Sequence, residues 1–141
     1  MMTAVEVAER KARLRALGFL FLAALTCAVV IVVRNNPGND FTQGLWFGLL
    51  LGCAINLLPF KRWLRPNSAV LRLLDDEGTR ENRRLSCTIG FWAAVIAALV
   101  LSLAARLNPQ IGGEEVGQLV TTAGIVSAMI AFAVLELRAA R

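Results

Sequence analysis

The sequence predicts an all-α membrane protein, a four-transmembrane-helix bundle made of two tandem helical hairpins. Three observations carry that expectation. Of the 141 residues, 57% are hydrophobic; these collect in four long blocks with no wet face; and thirteen of the fifteen Lys and Arg residues fall on one side of those blocks. A soluble domain of this length alternates apolar and polar positions so that each element keeps a solvated face. A helix needs about 20 apolar residues to cross the hydrocarbon core. The blocks 16–33, 44–60, 85–105 and 116–135 reach that length or its lower edge.

The first block follows a charged arm, 1–15, in which Arg10, Lys11, Arg13 and Arg15 alternate with Glu6 and Glu9 and extend the helix outward. The block is long, ends at Arg34 and shows no small-residue cleavage site, so it reads as a span and not as a cleavable signal peptide. A short connection opened by Asn36-Pro37 leads to the second block, which holds Gly44-x-x-x-Gly48-x-x-x-Gly52 on one helix face. Such a face lets membrane helices approach closely. It is expected to pack within the monomer, with a homodimer as the alternative. The third and fourth blocks are joined by a similar connection, opened by Asn108-Pro109. None of the four contains a charge. Hydroxyls such as Thr26, Ser86 and Thr121 are expected to bond back to their own helix, and Asn56 and Gln118 to tie helices together.

Orientation follows from the basic residues. The N-terminal arm holds four, the loop 61–84 seven and the tail 136–141 two; the other two connections hold only Arg34 and Arg106. Under the positive-inside rule the termini and the central loop are cytoplasmic, and the protein is a multi-pass component of the bacterial inner membrane. The net charge of +5 is then explained by topology and anionic lipid headgroups, with no direct nucleic-acid contact.

The two halves align when the chain is shifted by 72 positions. Gly18 falls on Gly90, Phe19 on Phe91, Arg34 on Arg106, Asn36 on Asn108, Pro37 on Pro109, Gly52 on Gly124 and Phe60 on Phe132. Each half carries two spans, so a duplication would give a parallel repeat with its axis along the membrane normal.

The central loop is the one connection long enough to present a surface. Pro66-Asn67-Ser68 supplies a break and a helix cap. Leu71, Leu73 and Leu74 then give an apolar stretch around Arg72, expected as an interfacial helix that stops near Gly78. After it come Asp75, Asp76 and Glu77, and then Arg80, Glu81, Arg83 and Arg84 leading into the third span.

Catalysis finds little to work with. There is no His and no Tyr, and no carboxylate falls inside a block, so an enzyme is not expected. Asp75, Asp76 and Glu77 are consecutive and point different ways on a helix, without a calcium-binding loop around them. Cys27, Cys53 and Cys87 lack metal-ligand spacing and read as small packing residues. No metal or cofactor is expected. A small transporter or channel component is a competing reading, weakened by the lack of an intramembrane acid; an accessory subunit of a larger membrane complex is a third.

The segment Leu-Arg-Leu-Leu-Asp-Asp-Glu-Gly-Thr-Arg-Glu-Asn-Arg-Arg at 71–84, Gly90-Phe91-Trp92, and the ending Phe-Ala-Val-Leu-Glu-Leu-Arg at 132–138 carry a resemblance. They resemble a group of small bacterial four-helix membrane proteins encoded beside helix-turn-helix regulators. That group ends its fourth helix in Leu-Glu-Arg, whereas here Leu137 separates Glu136 from Arg138. The resemblance implies a membrane-bound inhibitor that sequesters a cytoplasmic DNA-binding transcription regulator. Its docking residues would be the acidic Asp75, Asp76, Glu77 and Glu81, with Arg80 beside them and Leu71, Leu73 and Leu74 as apolar anchors. A DNA-binding domain is basic, so an acidic surface complements it.

Overall fold

The structure, a computed structural model, describes residues 4–57, 77–108 and 110–139. These residues form four helices: α1 (Ala4–Asn35), α2 (Asp40–Leu57), α3 (Glu77–Leu107) and α4 (Gly113–Ala139). Three stretches are long and apolar enough to cross a membrane: Ala12–Asn35, Gly78–Leu107 and Gly113–Ala139. The eighteen described residues of α2 are not among them, and Asp40, Gln43 and Asn56 are what dilute their apolar run.

Turn chemistry ends the helices where the sequence places Asn-Pro. Proline disfavours helical geometry in the residue before it, and α1 stops at Asn35. Gly38 then takes a positive φ of 88°, a conformation open to glycine at no steric cost. Asn39 caps α2: its side-chain oxygen accepts the backbone N–H of Phe41 at 3.1 Å and of Thr42 at 3.3 Å. At the corresponding turn, Asn108 Oδ1 accepts the N–H of Gln110 at 3.2 Å. Both turns lie at one end of the bundle, the loop end. The start of α1 and the end of α4 lie at the other, the charged end.

Helix α4 is central and touches each of the other three. Its buried face (Thr122, Ala128, Met129, Phe132, Ala133 and Glu136) follows steps of three, four and seven residues, which keep to one side of a helix. Ala16, Phe19 and Ala23 of α1 pack against it, joined by Cys53 and Leu57 of α2. The rings of Phe19 and Phe132 meet edge to face with centroids 4.9 Å apart, the geometry aromatic quadrupoles favour. Helix α3 lies at the periphery. Only 6% of its span is buried, against 28% for that of α4, and Phe91, Trp92, Ile96, Leu99 and Leu103 face outward. Lipid tails are as apolar as these side chains, so outward exposure costs nothing in a bilayer.

The close helix crossing joins α3 to α4. A Cβ built on Gly90 would stand 2.6 Å from the carbonyl oxygen of Gly124 and 2.7 Å from Cβ of Ala128. The stripe Gly44, Gly48 and Gly52 has no such role among the described residues, where nothing lies within 4 Å of a Cβ built on any of the three. Close packing between described helices thus falls on Gly90 and Gly124 and not on the three glycines of α2, whose described contact face carries Leu50, Cys53 and Leu57.

One further expectation is corrected. Among the described residues Asn56 and Gln118 do not tie helices together. Asn56 donates to the carbonyl of Gly52 at 2.8 Å, and Gln118 contacts Glu114 on its own helix at 3.5 Å. Gly78 sits in the first turn of α3, and the interfacial helix expected before it lies outside the described residues. Positions matched by the 72-residue shift occupy unlike environments: Gly90 is tightly packed and Gly18 open, and Phe19 is buried while Phe91 is exposed. The hydroxyls do bond back to their own helices, Thr26 to Leu22, Ser86 to Arg83 and Thr121 to Gly117, each at 2.8 Å.

Candidate functional site

At the charged end, three helices converge on a polar cluster. Glu136, in the last turns of α4, is 4% exposed. One of its carboxylate oxygens accepts a short hydrogen bond from the guanidinium of Arg15 on α1, and the other faces the side-chain amide of Asn82 on α3 at 3.5 Å. The same Arg15 nitrogen reaches Thr79 Oγ1 at 3.4 Å, and its guanidinium carbon lies 5.7 Å from the centre of the Phe132 ring. Arg15 Nε is buried without a hydrogen-bond partner among the described residues. A buried charge is tolerable when paired and costly when alone, so this cluster holds α1, α3 and α4 in one arrangement.

The cluster decides which way α3 presents its first turns. Thr79, Asn82, Arg83, Ser86 and Gly90 follow three- and four-residue steps and form the inward, partly or fully buried face. Gly78, Arg80, Glu81, Arg84 and Leu85 are exposed on the other side. Of the expected docking residues, Arg80 and Glu81 therefore stand on the outer face, two positions in a mixed-charge strip. Glu77 opens α3. Leu71, Leu73, Leu74, Asp75 and Asp76 lie outside the described residues.

A second ion pair closes the loop end, where Arg34 Nε is 3.1 Å from Glu115 Oε1. The two pairs bracket the contact between α1 and α4. Arg15 and Arg34 are nineteen positions apart, Glu115 and Glu136 twenty-one. At 1.5 Å per residue these intervals span about 29 and 32 Å, close to the roughly 30 Å hydrocarbon thickness. Charge is thereby confined to the ends of the apolar contact.

Reading the sequence missed Arg15 and Glu136 as partners, and Thr79 and Asn82 as their supports. The signal was present in α4: Glu136 stands four positions after Phe132 and seven after Met129, on the stripe that the buried apolar residues define. Among the described residues no group of three His, Cys, Asp or Glu side chains is placed to hold a metal ion.

No family model matches the chain, and neither a search of curated proteins nor one of solved structures finds a match. What fold and composition define is the class, an all-helical membrane protein with three helices able to span a bilayer.

Proposed function

We propose that this chain is a membrane-bound inhibitor that sequesters a cytoplasmic DNA-binding regulator of the helix-turn-helix type at the bacterial inner membrane. In this reading the apolar block 44–60 is a fourth span, the two hairpins descend from a duplication, and the charged end faces the cytoplasm. The basic residues of the arm, central loop and tail support that orientation. The observation that carries the reading is the outward placing of Glu81, the one expected acidic docking residue whose exposure is described, on the face of α3 opposite the inward contacts of Thr79 and Asn82. A charged surface at a membrane face suits protein recognition, and in the sequence Glu81 follows the acidic Asp75, Asp76 and Glu77, whose segment carries the resemblance. The regulator would be displaced from its promoters by being retained there.

The second reading, a small transporter or channel component, draws on Glu136, a carboxylate buried within the bundle. Its engagement by Arg15 and Asn82 favours a structural role over ion exchange.

The test is a pulldown of the tagged protein from its host in mild detergent, with mass spectrometry of the co-purified proteins. Recovery of a small helix-turn-helix protein, lost when Asp75→Lys, Asp76→Lys, Glu77→Lys and Glu81→Lys are combined, is the expected outcome. Recovery of membrane proteins alone, or a regulator whose recovery ignores charge reversal, contradicts the reading.

A further inference from the structure

The start of α3 is attached to the bundle differently from the rest of that helix. Between Thr79 and Ser86 the positions that are not exposed are Thr79, Asn82, Arg83 and Ser86, all of them polar. Leu85, the apolar side chain of this stretch, is 45% exposed. Ser86 is buried but spends its hydroxyl on its own helix, donating to the carbonyl of Arg83. Among the described residues the buried apolar core is drawn from α1, α2 and α4. The close crossing that anchors α3 lies further along, where Gly90 meets Gly124 and Ala128. Helices in folded proteins owe most of their stability to the packing of an apolar face, and the first turns of α3 have none.

Their polar face meets the Arg15–Glu136 pair. Arg15 donates to Thr79 Oγ1 at 3.4 Å and Asn82 donates to Glu136 Oε1 at 3.5 Å; Arg83 is engaged as well. Both distances exceed the range of about 2.7–3.2 Å for a good N–H···O bond, so each contact holds weakly. Segments secured by few apolar contacts open locally while the rest of a fold stays closed. On the other side, α1 and α3 do not pack closely against each other, and Arg15 spans the gap between them. It directly precedes Ala16, the first buried residue described in α1. The helix runs without a break from Ala4 through Arg15 into the core.

We propose that Arg15 and Glu136 act as a latch on the first turns of α3. While it is closed, Glu81 faces outward in one orientation; when it opens, residues 79–86 come away from the bundle as far as Gly90. The N-terminal turns of α1 thereby control the docking edge without touching Glu81, because their displacement withdraws Arg15 from Thr79 and Glu136 together. The latch does not depend on the sequestration proposed above, whereas its consequence for docking rests on that reading.

The test is hydrogen–deuterium exchange, read by mass spectrometry on the full-length protein in lipid nanodiscs. Thr79→Ala with Asn82→Ala removes the α3 side of the latch and leaves Arg15 and Glu136 in place. Alanine is the better helix former at both positions, so helix propensity alone would slow exchange. Amides 82–86 are expected to exchange at least about threefold faster, with those of 94–105 unchanged. In Arg15→Met the quickening at 82–86 is expected to exceed that at 94–105. Unchanged exchange at 82–86 in the double variant, or equal quickening along all of α3, would overturn the latch. In the pulldown, the double variant is expected to recover severalfold less regulator although Glu81 is intact, and undiminished recovery would overturn the control of docking. Should the unaltered chain recover no regulator, the sequestration reading fails and the exchange data alone decide the latch.

Discussion

Arg15 and Glu136 form an ion pair across 121 positions of sequence, joining the first helix to the last at the charged end of the bundle. Glu136 is buried and Arg15 is about one-third exposed, so water screens the pair only in part. Removing one partner leaves the other charge under-compensated. Arg15→Met or Glu136→Leu alone is expected to destabilise the bundle by about 1–3 kcal/mol. The double variant is expected to recover much of that loss. A double-mutant cycle read by thermal unfolding in detergent checks this, and additive losses would show that the two residues act independently.

Gly90 and Gly48 give opposite predictions for the same substitution. At Gly90 a methyl group would collide with the carbonyl oxygen of Gly124 and with Ala128. Backbone cannot step aside as a flexible side chain can, so Gly90→Ala is expected to cost about 1–3 kcal/mol by prising α3 from α4. At Gly48 the space is open among the described residues, and Gly48→Ala is expected to be neutral or slightly stabilising in a helix. Unfolding midpoints of the two variants, measured side by side, check the contrast. A loss at Gly48 as large as that at Gly90 would show that the stripe is packed against something beyond this bundle.

Trp46 links α2 to α4 through its hydrogen bond to Thr122, a buried hydroxyl. Trp46→Phe keeps most of the ring and leaves the hydroxyl without that donor. A loss of about 1 kcal/mol is expected, together with faster amide exchange in α2, the helix with the sparsest contacts to its neighbours. Exchange that quickened equally in α3 would point to global loosening and not to the loss of this link.

Gly38 sets the turn between α1 and α2 with a φ of 88°. Gly38→Ala meets no steric obstacle from neighbours, so its cost is conformational alone, about 1 kcal/mol. Gly112→Ala, at the turn between α3 and α4, has equal space and no positive φ. It is expected to be close to neutral, and comparison of the two unfolding temperatures separates backbone strain from crowding.

Much of the architecture was legible because burial in lipid demands long uncharged runs. Blocks 16–33, 85–105 and 116–135 lie wholly within α1, α3 and α4, and the Asn-Pro dipeptides mark the turns. The pairing of helices was less accessible. Glycine spacing pointed to α2, yet the crossing is made by Gly90 and Gly124, which lie 34 positions apart and on different helices; no local pattern announces such a pair. Glu136 was read as a residue leaving the membrane, since it follows the fourth block directly. Its burial depends on Arg15 and Asn82, supplied by distant segments. The leucines and acids of 71–76 fall outside the described residues, so of the proposed docking surface only the α3 edge is described.

Sequestration of a regulator requires the charged end to lie in the cytoplasm, where such a protein can reach it. Labelling with a membrane-impermeant maleimide tests this in intact cells, using Glu81→Cys and, at the loop end, Gly112→Cys, each in a chain with Cys27, Cys53 and Cys87 replaced by Ala. Position 112 is expected to label in intact cells and position 81 only after permeabilisation. Labelling of position 81 in intact cells, with position 112 protected, would contradict the account and place the proposed docking strip on the wrong side of the membrane.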